Sequence, residues 1–322
     1  MTAIRTVDYH TGGEPFRIVT GGVEQPQGTT ILERRRDALE RLDHVRRLLV
    51  HEPRGHADMY GCHVVPGNDA GADLGVVFFH NAGYSTACGH GTIALVTWAL
   101  DEGIVERHEG ENRVVVDVPS GRLQTVADVR DGRVRSVTFR NVPSFVWGTG
   151  VRVGEAVVDI AFGGAFYATL RERVEPAELP RLIRLGREIK RGLEAQHEIV
   201  HPLEPELRDV YGVIFWQPEA AAPLTQRNVT VFADGEVDRS PCGSGTSARL
   251  ALLDACGDLP RGAELRHLSI VGSSFVGRVV DEADVAGRPA VITEVTGSAY
   301  RTGEATFTLD PDDPLGEGFL LR

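Results

Sequence analysis

The chain has 322 residues, enough for two domains, and its hydrophobic and charged fractions of 42% and 25% are those of a folded globular protein. A formal net charge of -12 argues against nucleic acid or an anionic membrane as a partner, because both attract clustered positive charge. Small-molecule chemistry is therefore favoured. The sequence opens on a strand-like pattern without an apolar leader, so we expect a cytoplasmic protein whose four cysteines are thiols.

In chain order, alternating apolar residues predict strands, and apolar residues at helical spacing predict helices. Thr30 and Glu33 form a capping box that opens an amphipathic helix to about Val50. A second long helix is predicted over residues 176–199, and shorter helices over 93–100 and 247–255. The predicted strands cover residues 4–9, 16–20, 63–66, 74–80, 114–118, 123–129, 134–139 and 228–233.

Landmarks of the first half recur in the same order in the second half, which indicates a duplication. The matches are 7–8 with 158–159 and 58–61 with 209–212, each at an offset of 151 residues, and Cys88 with Cys242 at 154. We predict two similar α+β domains, 1–150 and 151–322, related by a pseudo-two-fold axis. Each would be a twisted, mainly antiparallel sheet or barrel around a central helix, with the active site in the cleft between them. The tail from about residue 297 exceeds what the repeat requires, which allows a return to the first domain.

One cysteine stands in each copy of the repeat. Cys88 and Cys242 both follow an extended apolar segment and precede a Gly-x-Gly-Thr motif at the start of a predicted helix. Unpaired N–H groups and the helix dipole favour a thiolate there, so we expect the pKa of both thiols to fall from about 8.5 towards neutrality. The same N–H groups form a site for a carboxylate. Two such thiols suit removal of a proton from one face of a carbon and its return to the other face, as in a racemase.

Other chemistries fit these residues less well. A pyridoxal phosphate enzyme needs a Schiff-base lysine, but Lys190, the one lysine in the sequence, lies in a charged amphipathic stretch. A zinc site at Cys88 and His90 lacks the CxxC spacing of zinc motifs, and the sequence has no Gly-x-Ser-x-Gly hydrolase motif. Cys62 and Cys256 are expected to be structural. A protein that only binds an amino acid is the non-enzymatic alternative.

Motifs along almost the whole chain make it similar to the proline racemase family, whose fold is that of diaminopimelate epimerase. The motifs lie at residues 10–15 (His-Thr-Gly-Gly-Glu-Pro), 52–56, 87–91 (Ala-Cys-Gly-His-Gly), 159–164, 238–243 (Asp-Arg-Ser-Pro-Cys-Gly), 272–275 and 313–315. The resemblance implies an enzyme that needs no cofactor, metal or nucleic acid. Its substrate would be proline or hydroxyproline, and its assembly a monomer or homodimer.

The resemblance also implies roles for individual residues. Cys88 and Cys242 would be the base and the acid. His90 and Asp238 would hold the ring nitrogen of the substrate. The aromatic residues that would pack on the pyrrolidine ring are Tyr60 and Phe232, and the backbone that would bind the carboxylate is that of Gly89, His90, Gly91, Gly243, Ser244 and Gly245.

The choice of subfamily depends on residue 242. Residues 58–61 and the tail from Asp313 look most like those of trans-3-hydroxy-L-proline dehydratases, which typically carry threonine in place of the second cysteine. Elimination of a 3-hydroxyl needs one base, whereas inversion of the α carbon needs a thiol on each face. Because Cys242 is present, we predict racemisation or epimerisation, with proline somewhat favoured over hydroxyproline. Dehydration to pyrroline-2-carboxylate is the alternative.

Overall fold

A computed structural model of the chain describes residues 3–220 and 224–321. Within these residues the helices are α1 (Ile31–Arg41), α2 (Asp43–Val50), α3 (Gly89–Asp101), α4 (Leu179–Gln196) and α5 (Gly243–Cys256). The strands are β1 (Ile4–Thr11), β2 (Glu14–Gly21), β3 (Tyr60–Val65), β4 (Leu74–His80), β5 (Gly110–Val118), β6 (Gly121–Arg130), β7 (Arg133–Arg140), β8 (Ser144–Val153), β9 (Ala156–Phe162), β10 (Phe166–Arg171), β11 (Val210–Glu219), β12 (Thr225–Phe232), β13 (Glu236–Asp238), β14 (Glu264–Leu268), β15 (Ser274–Val285), β16 (Arg288–Gly297) and β17 (Ala299–Phe307).

Contacts divide the chain into two compact units that are not simply its two halves. The first unit runs to Val137 and resumes at Ser298, and the second is Thr138–Gly297. The last strand, β17, belongs to the first unit because it pairs antiparallel with β1 along its length. The predicted boundary between residues 150 and 151 falls inside β8, which pairs with β9 in the second unit.

In the first unit the paired strands run in the order β17–β1–β2–β3–β4–β5–β6. The pairs β2/β3 and β4/β5 are parallel and the others antiparallel. Parallel neighbours need a long crossover, and here the crossovers contain α1 and α2, and then α3. Helix α3 is apolar on all sides and buried from Gly89 to Leu100, with β1, β2, β3, β6 and β17 around it.

The second unit repeats this plan. Its strands pair in the order β8–β9–β10–β11–β12–β14–β15–β16, and β16 pairs with β8 to close a ring. The parallel pairs β10/β11 and β12/β14 have α4 and α5 in their crossovers. Helix α5 is buried against β8, β9, β10, β15 and β16. The prediction of two similar α+β folds, each a mainly antiparallel sheet around a central helix, is confirmed.

Backbone geometry shows the repeat as well. Asp58 and Asp209 stand just before β3 and β11 and have positive φ angles of 64° and 63°. A left-handed backbone conformation is uncommon for residues other than glycine, and aspartate is among the residues that tolerate it. The same turn therefore introduces the same strand in both units.

The long helix predicted to reach Val50 is divided in the structure. Thr30 and Glu33 form the predicted capping box, in which the Glu33 N–H donates to the Thr30 hydroxyl at 3.2 Å. The helix then breaks at Leu42, whose φ and ψ of -114° and 10° are not helical, and α2 restarts at Asp43. The carboxylate of Asp43 accepts from Arg46 in the first turn of α2, where the helix dipole favours a negative charge.

The second long helix, predicted over 176–199, is α4 preceded by a single 3-10 turn at Pro176–Glu178. Among the described residues, none of the helices combines the length and the apolar character needed to cross a lipid bilayer.

Candidate active site

Cys88 is the N-cap residue of α3 and is buried within the first unit. The backbone N–H of Gly91 donates to its sulfur at 3.2 Å, so the thiol takes the place that a serine or aspartate side chain usually takes in a cap. The Cys88 carbonyl accepts from the N–H and from the hydroxyl of Thr92, each at 2.9 Å. The Gly-x-Gly-Thr motif thus fixes the cysteine at the start of the helix, as predicted.

An imidazole lies against the Cys88 sulfur. The Nδ1 and Nε2 atoms of His90 are 3.5 and 3.6 Å from Sγ. The edges of Tyr60 and Phe16 pack around the imidazole, with ring centroids 4.9 and 5.8 Å away. A protonated imidazole at this distance would stabilise a thiolate, because an opposite charge favours the ionised form.

The backbone at Gly91 leaves no room for a side chain. An added Cβ would lie 2.4 Å from the Phe16 ring and 2.7 Å from the Cys88 sulfur. Glycine here is therefore a steric requirement of the thiol pocket.

Cys242 is the N-cap residue of α5 and is buried in the second unit. Its carbonyl accepts from the N–H and the hydroxyl of Thr246, at 2.7 and 2.8 Å, as the Cys88 carbonyl does from Thr92. Its backbone differs, however, since φ is 64° where Cys88 has -155°. The Cys242 N–H donates to the Ser240 hydroxyl at 3.1 Å, which helps to hold this uncommon conformation.

The surroundings of Cys242 favour the neutral thiol. Burial raises its pKa to about 12, and the nearby negative charge of Asp238 adds to the effect. Burial also raises the pKa of Asp238 to about 6, against the opposing effect of hydrogen bonds from Ser240. The prediction that the helix N-terminus lowers the pKa of both thiols is therefore wrong for Cys242, where loss of solvent outweighs the dipole.

A tyrosine hydroxyl connects the Cys242 sulfur with Ser244. The Tyr167 oxygen is 3.7 Å from Sγ and 2.7 Å from the Ser244 hydroxyl. Phe232 joins this group less directly, because it stacks on Tyr211 at 5.5 Å, and Tyr211 meets Tyr167 edge-on at 5.8 Å.

The structure groups the predicted site residues around their own cysteine in each unit. In the first unit His90 contacts Cys88, and Tyr60, the first residue of β3, contacts His90. In the second unit Asp238, the last residue of β13, is within interacting distance of Cys242. The first turn of α3 contains Gly89, His90 and Gly91, and the first turn of α5 contains Gly243, Ser244 and Gly245.

Sequence reasoning missed Phe16 and Tyr167. They occupy corresponding positions, 151 residues apart, which is the offset of the earlier landmarks. Each packs in its unit against the residue two places after the cysteine, which is His90 in one case and Ser244 in the other. Extending the repeat alignment into β2 and β10 would have found them.

Cys62 has the buried environment expected of a structural cysteine, whereas Cys256 does not. Cys62 is completely buried in β3, and burial raises the pKa of its thiol. Cys256 is exposed at the end of α5. In the part of the chain that the structure describes, no three His, Cys, Asp or Glu side chains are grouped so that they could hold a metal ion.

Known proteins resemble this chain over nearly its whole length. A family profile described as proline racemase matches residues 6–320. A trans-3-hydroxy-L-proline dehydratase of Bacillus cereus is 45% identical over 325 residues, covering 98% of this chain and 97% of that protein. A 3-hydroxyproline 2-epimerase of Burkholderia multivorans is 46% identical over 330 residues, covering 99% and 98%.

The fold of this chain is also similar to that of a solved structure. The crystal structure of a hydroxyproline epimerase from Agrobacterium vitis, with bound trans-4-OH-L-proline, superposes with a TM-score of 0.93. It is 32% identical in sequence, and the match covers 100% of this chain and 95% of that one. The profile match, the relatives and this fold together show that the chain is an enzyme of the proline racemase family.

Proposed function

We propose that this enzyme is a 3-hydroxyproline 2-epimerase that inverts the α carbon by a two-thiol proton transfer, without a cofactor. The observation that carries the proposal is a second buried cysteine, Cys242, capping α5 as Cys88 caps α3. Elimination of a hydroxyl needs one base at the α carbon, whereas inversion needs a base on one face and an acid on the other.

The names of the relatives support a particular substituted proline ring as the substrate. Proteins that are 45% and 46% identical to this chain have names that specify 3-hydroxyproline. We therefore favour 3-hydroxyproline as the substrate over the unsubstituted proline that the sequence analysis preferred. The proposed activity is that of an isomerase. The alternative activity, dehydration of the same ring, is that of a lyase.

In the proposed resting state Cys88 is the thiolate and Cys242 is the thiol. The pKa of Cys242, raised to about 12, keeps its proton at neutral pH. Cys88 has an N–H donor from Gly91 and the imidazole of His90 beside its sulfur. These contacts suit a negative sulfur, because hydrogen bonds to an anion are about twice as strong as those between neutral groups.

The reaction then moves one proton at each thiol. The Cys88 sulfur takes the α proton, and the electron pair of the C–H bond enters the substrate carboxylate. The Cys242 thiol gives its proton to the opposite face of the same carbon, so the thiols end with exchanged protonation states. N–H groups in the first turns of α3 and α5 would hold the carboxylate and stabilise the charge that develops there.

Dehydration of trans-3-hydroxy-L-proline is the second candidate, and the name of the Bacillus cereus relative favours it. Cys88 would again remove the α proton, and the C–O bond of the 3-hydroxyl would break. The proton that Cys88 has taken would leave with the hydroxyl as water, so no second acid is needed. The product would be pyrroline-2-carboxylate.

Proton NMR in deuterium oxide separates the two reactions. With trans-3-hydroxy-L-proline, epimerisation should give cis-3-hydroxy-D-proline that carries deuterium at the α carbon. L-proline and trans-4-hydroxy-L-proline, run in parallel, should react more slowly. Loss of the 3-hydroxyl without any epimer would overturn the proposal in favour of dehydration, and no reaction with any of the three would overturn both.

Two variants sharpen this test. Cys242→Thr introduces the residue typical of the dehydratases and should stop inversion while Cys88 still exchanges the α proton for deuterium. Cys256→Ser changes an exposed thiol outside the site and should keep full activity. Normal inversion by Cys242→Thr would show that the second thiol is not the acid.

A further inference from the structure

We propose that the hydroxyl of Tyr167 stabilises Cys242 as a thiolate in the half of the catalytic cycle in which this cysteine has given up its proton. The inference rests on the two-thiol function proposed above and adds to it a residue that the sequence motifs did not identify. Tyr167 touches a reacting atom, since its oxygen lies 3.7 Å from the Cys242 sulfur.

The Tyr167 hydroxyl contacts both the Cys242 sulfur and the Ser244 hydroxyl, and it has one proton to donate. With Cys242 protonated, the S–H donates to the phenol oxygen, and the phenol O–H can donate to the Ser244 hydroxyl at 2.7 Å. Once the thiol has lost its proton, the phenol O–H can turn to the sulfur, and the Ser244 hydroxyl can donate to the phenol oxygen. Hydrogens rotate, but no heavy atom moves and the phenol keeps its proton.

The surrounding fold holds this hydroxyl in place. Tyr167 is fully buried in β10, which pairs with β9 on one side and β11 on the other. Ser244 is in the first turn of α5, beside the cysteine that caps it. The donor is therefore preorganised, and it does not have to be ordered at the moment when the thiolate forms.

Such a donor is needed because burial and the Asp238 carboxylate both raise the pKa of Cys242. Hydrogen bonds with the side chains of Thr230 and Tyr167 and with the Gly245 backbone lower it, so Tyr167 is one of the groups that favour the thiolate. In the first unit the corresponding residue is Phe16, which has no hydroxyl, and His90 lies beside that sulfur instead. The two thiols thus have different stabilising groups.

The test measures how readily Cys242 ionises in Tyr167→Phe. Iodoacetamide reacts with the thiolate, so below the pKa the alkylation rate is proportional to the thiolate fraction. Mass spectrometry of the Cys242 peptide should show alkylation about tenfold slower in the variant across the pH range. Removing a hydroxyl opens access to the sulfur, so a slower reaction reports ionisation and not shielding.

Two controls isolate the effect. Alkylation of Cys88 in the same samples should keep its wild-type rate. Tyr9→Phe removes another buried hydroxyl, one that donates to Asp101 at 3.2 Å in the first unit, and should leave Cys242 unchanged. An unchanged rate for Cys242 in Tyr167→Phe, with the protein folded by circular dichroism, would overturn the inference.

Activity measured alongside keeps this inference separate from the proposed function. In Tyr167→Phe, kcat/KM for inversion should fall about tenfold in both directions, because the equilibrium between the epimers is fixed. Slower alkylation in a protein that does not epimerise 3-hydroxyproline would support the contact and overturn the function. Wild-type alkylation in a protein that does epimerise would overturn the contact alone.

Discussion

The two cysteine sites share a backbone plan and differ in what surrounds the sulfur. In both, a cysteine caps a buried central helix and its carbonyl accepts from a threonine four residues later. Around Cys88 stand an imidazole and aromatic edges, whereas around Cys242 stand a phenol hydroxyl, a serine hydroxyl and a carboxylate.

The difference teaches how a duplicated site can perform an unsymmetrical task. The helix cap fixes each thiol in position, and the neighbouring side chains decide its charge. At Cys242 burial and the Asp238 charge favour the protonated thiol, since they raise its pKa to about 12. The proposed resting enzyme, with one acid and one base, would follow from these different surroundings, although the backbone is repeated.

Replacement of either sulfur should have the largest effect. Cys88→Ser and Cys242→Ser should each lower the rate of inversion by about 10³-fold or more, because a hydroxyl is a far weaker acid than a thiol and does not ionise to the base at neutral pH. Optical rotation measures inversion, and circular dichroism checks the fold. Inversion by either variant near the wild-type rate would mean that the two sites do not act as a pair.

Substitutions that crowd each sulfur should have the second largest effect on activity. Gly91→Ala would place a methyl group 2.4 Å from the Phe16 ring, and Gly245→Ala would place one 2.8 Å from the Cys242 sulfur. We expect kcat/KM to fall about 100-fold for Gly91→Ala, where a buried ring must also move, and less for Gly245→Ala. Gly303→Ala, which has open space around the added methyl group, is the matched control. Equal activity of all three variants would contradict the tight packing of the thiols.

Removing the Asp238 carboxylate should bring the reactivity of Cys242 closer to that of Cys88. In Asp238→Asn the charge that raises the pKa of Cys242 is gone, so alkylation of Cys242 should become about tenfold faster while that of Cys88 is unchanged. This is the opposite sign to Tyr167→Phe. Glu106→Gln, which removes a charge from a side chain that is 85% exposed, should change neither rate. Slower alkylation of Cys242 would contradict the role assigned to Asp238.

The smallest effect concerns stability in acid, to which a completely buried histidine in the second unit and a nearly completely buried one in the first contribute. Burial lowers the pKa of His63 to about 4 and that of His267 to about 3, below the ordinary value of 6.5. The unfolded chain therefore binds more protons than the folded one below pH 6.5, and the free energy of unfolding should fall as the pH drops towards 4. The slope approaches about 1.4 kcal/mol per pH unit for each histidine.

Urea unfolding at several pH values measures this slope, and His63→Leu should reduce it. The Nε2 atom of His63 has no hydrogen-bond partner among the described residues, so leucine leaves no partner of that nitrogen unpaired. His108→Gln, at a side chain that is 67% exposed, should leave the slope unchanged. An identical slope in His63→Leu would contradict the assignment.

Prediction from sequence succeeded where the signal is local. The strand predicted at residues 74–80 has the same bounds in the structure, and the capping box at Thr30 opens a helix. The break at Leu42 was missed, because an amphipathic pattern can continue across a change of direction. The sequence left open whether the tail from about residue 297 returns to the first domain, since that depends on the pairing of β1 with β17 from the other end of the sequence.

The sequence by itself determined the family, the repeat and the position of each thiol at the start of a helix. These features follow from short motifs, because glycine and threonine close to a cysteine dictate the cap whatever lies elsewhere. Only the tertiary structure decided which groups meet each sulfur. Tyr167 and Cys242 are far apart in the chain, and burial reverses the pKa shift that the helix terminus alone would give. Charge in a protein interior depends on solvent exclusion and on neighbours brought together by packing, and neither is written in a local motif.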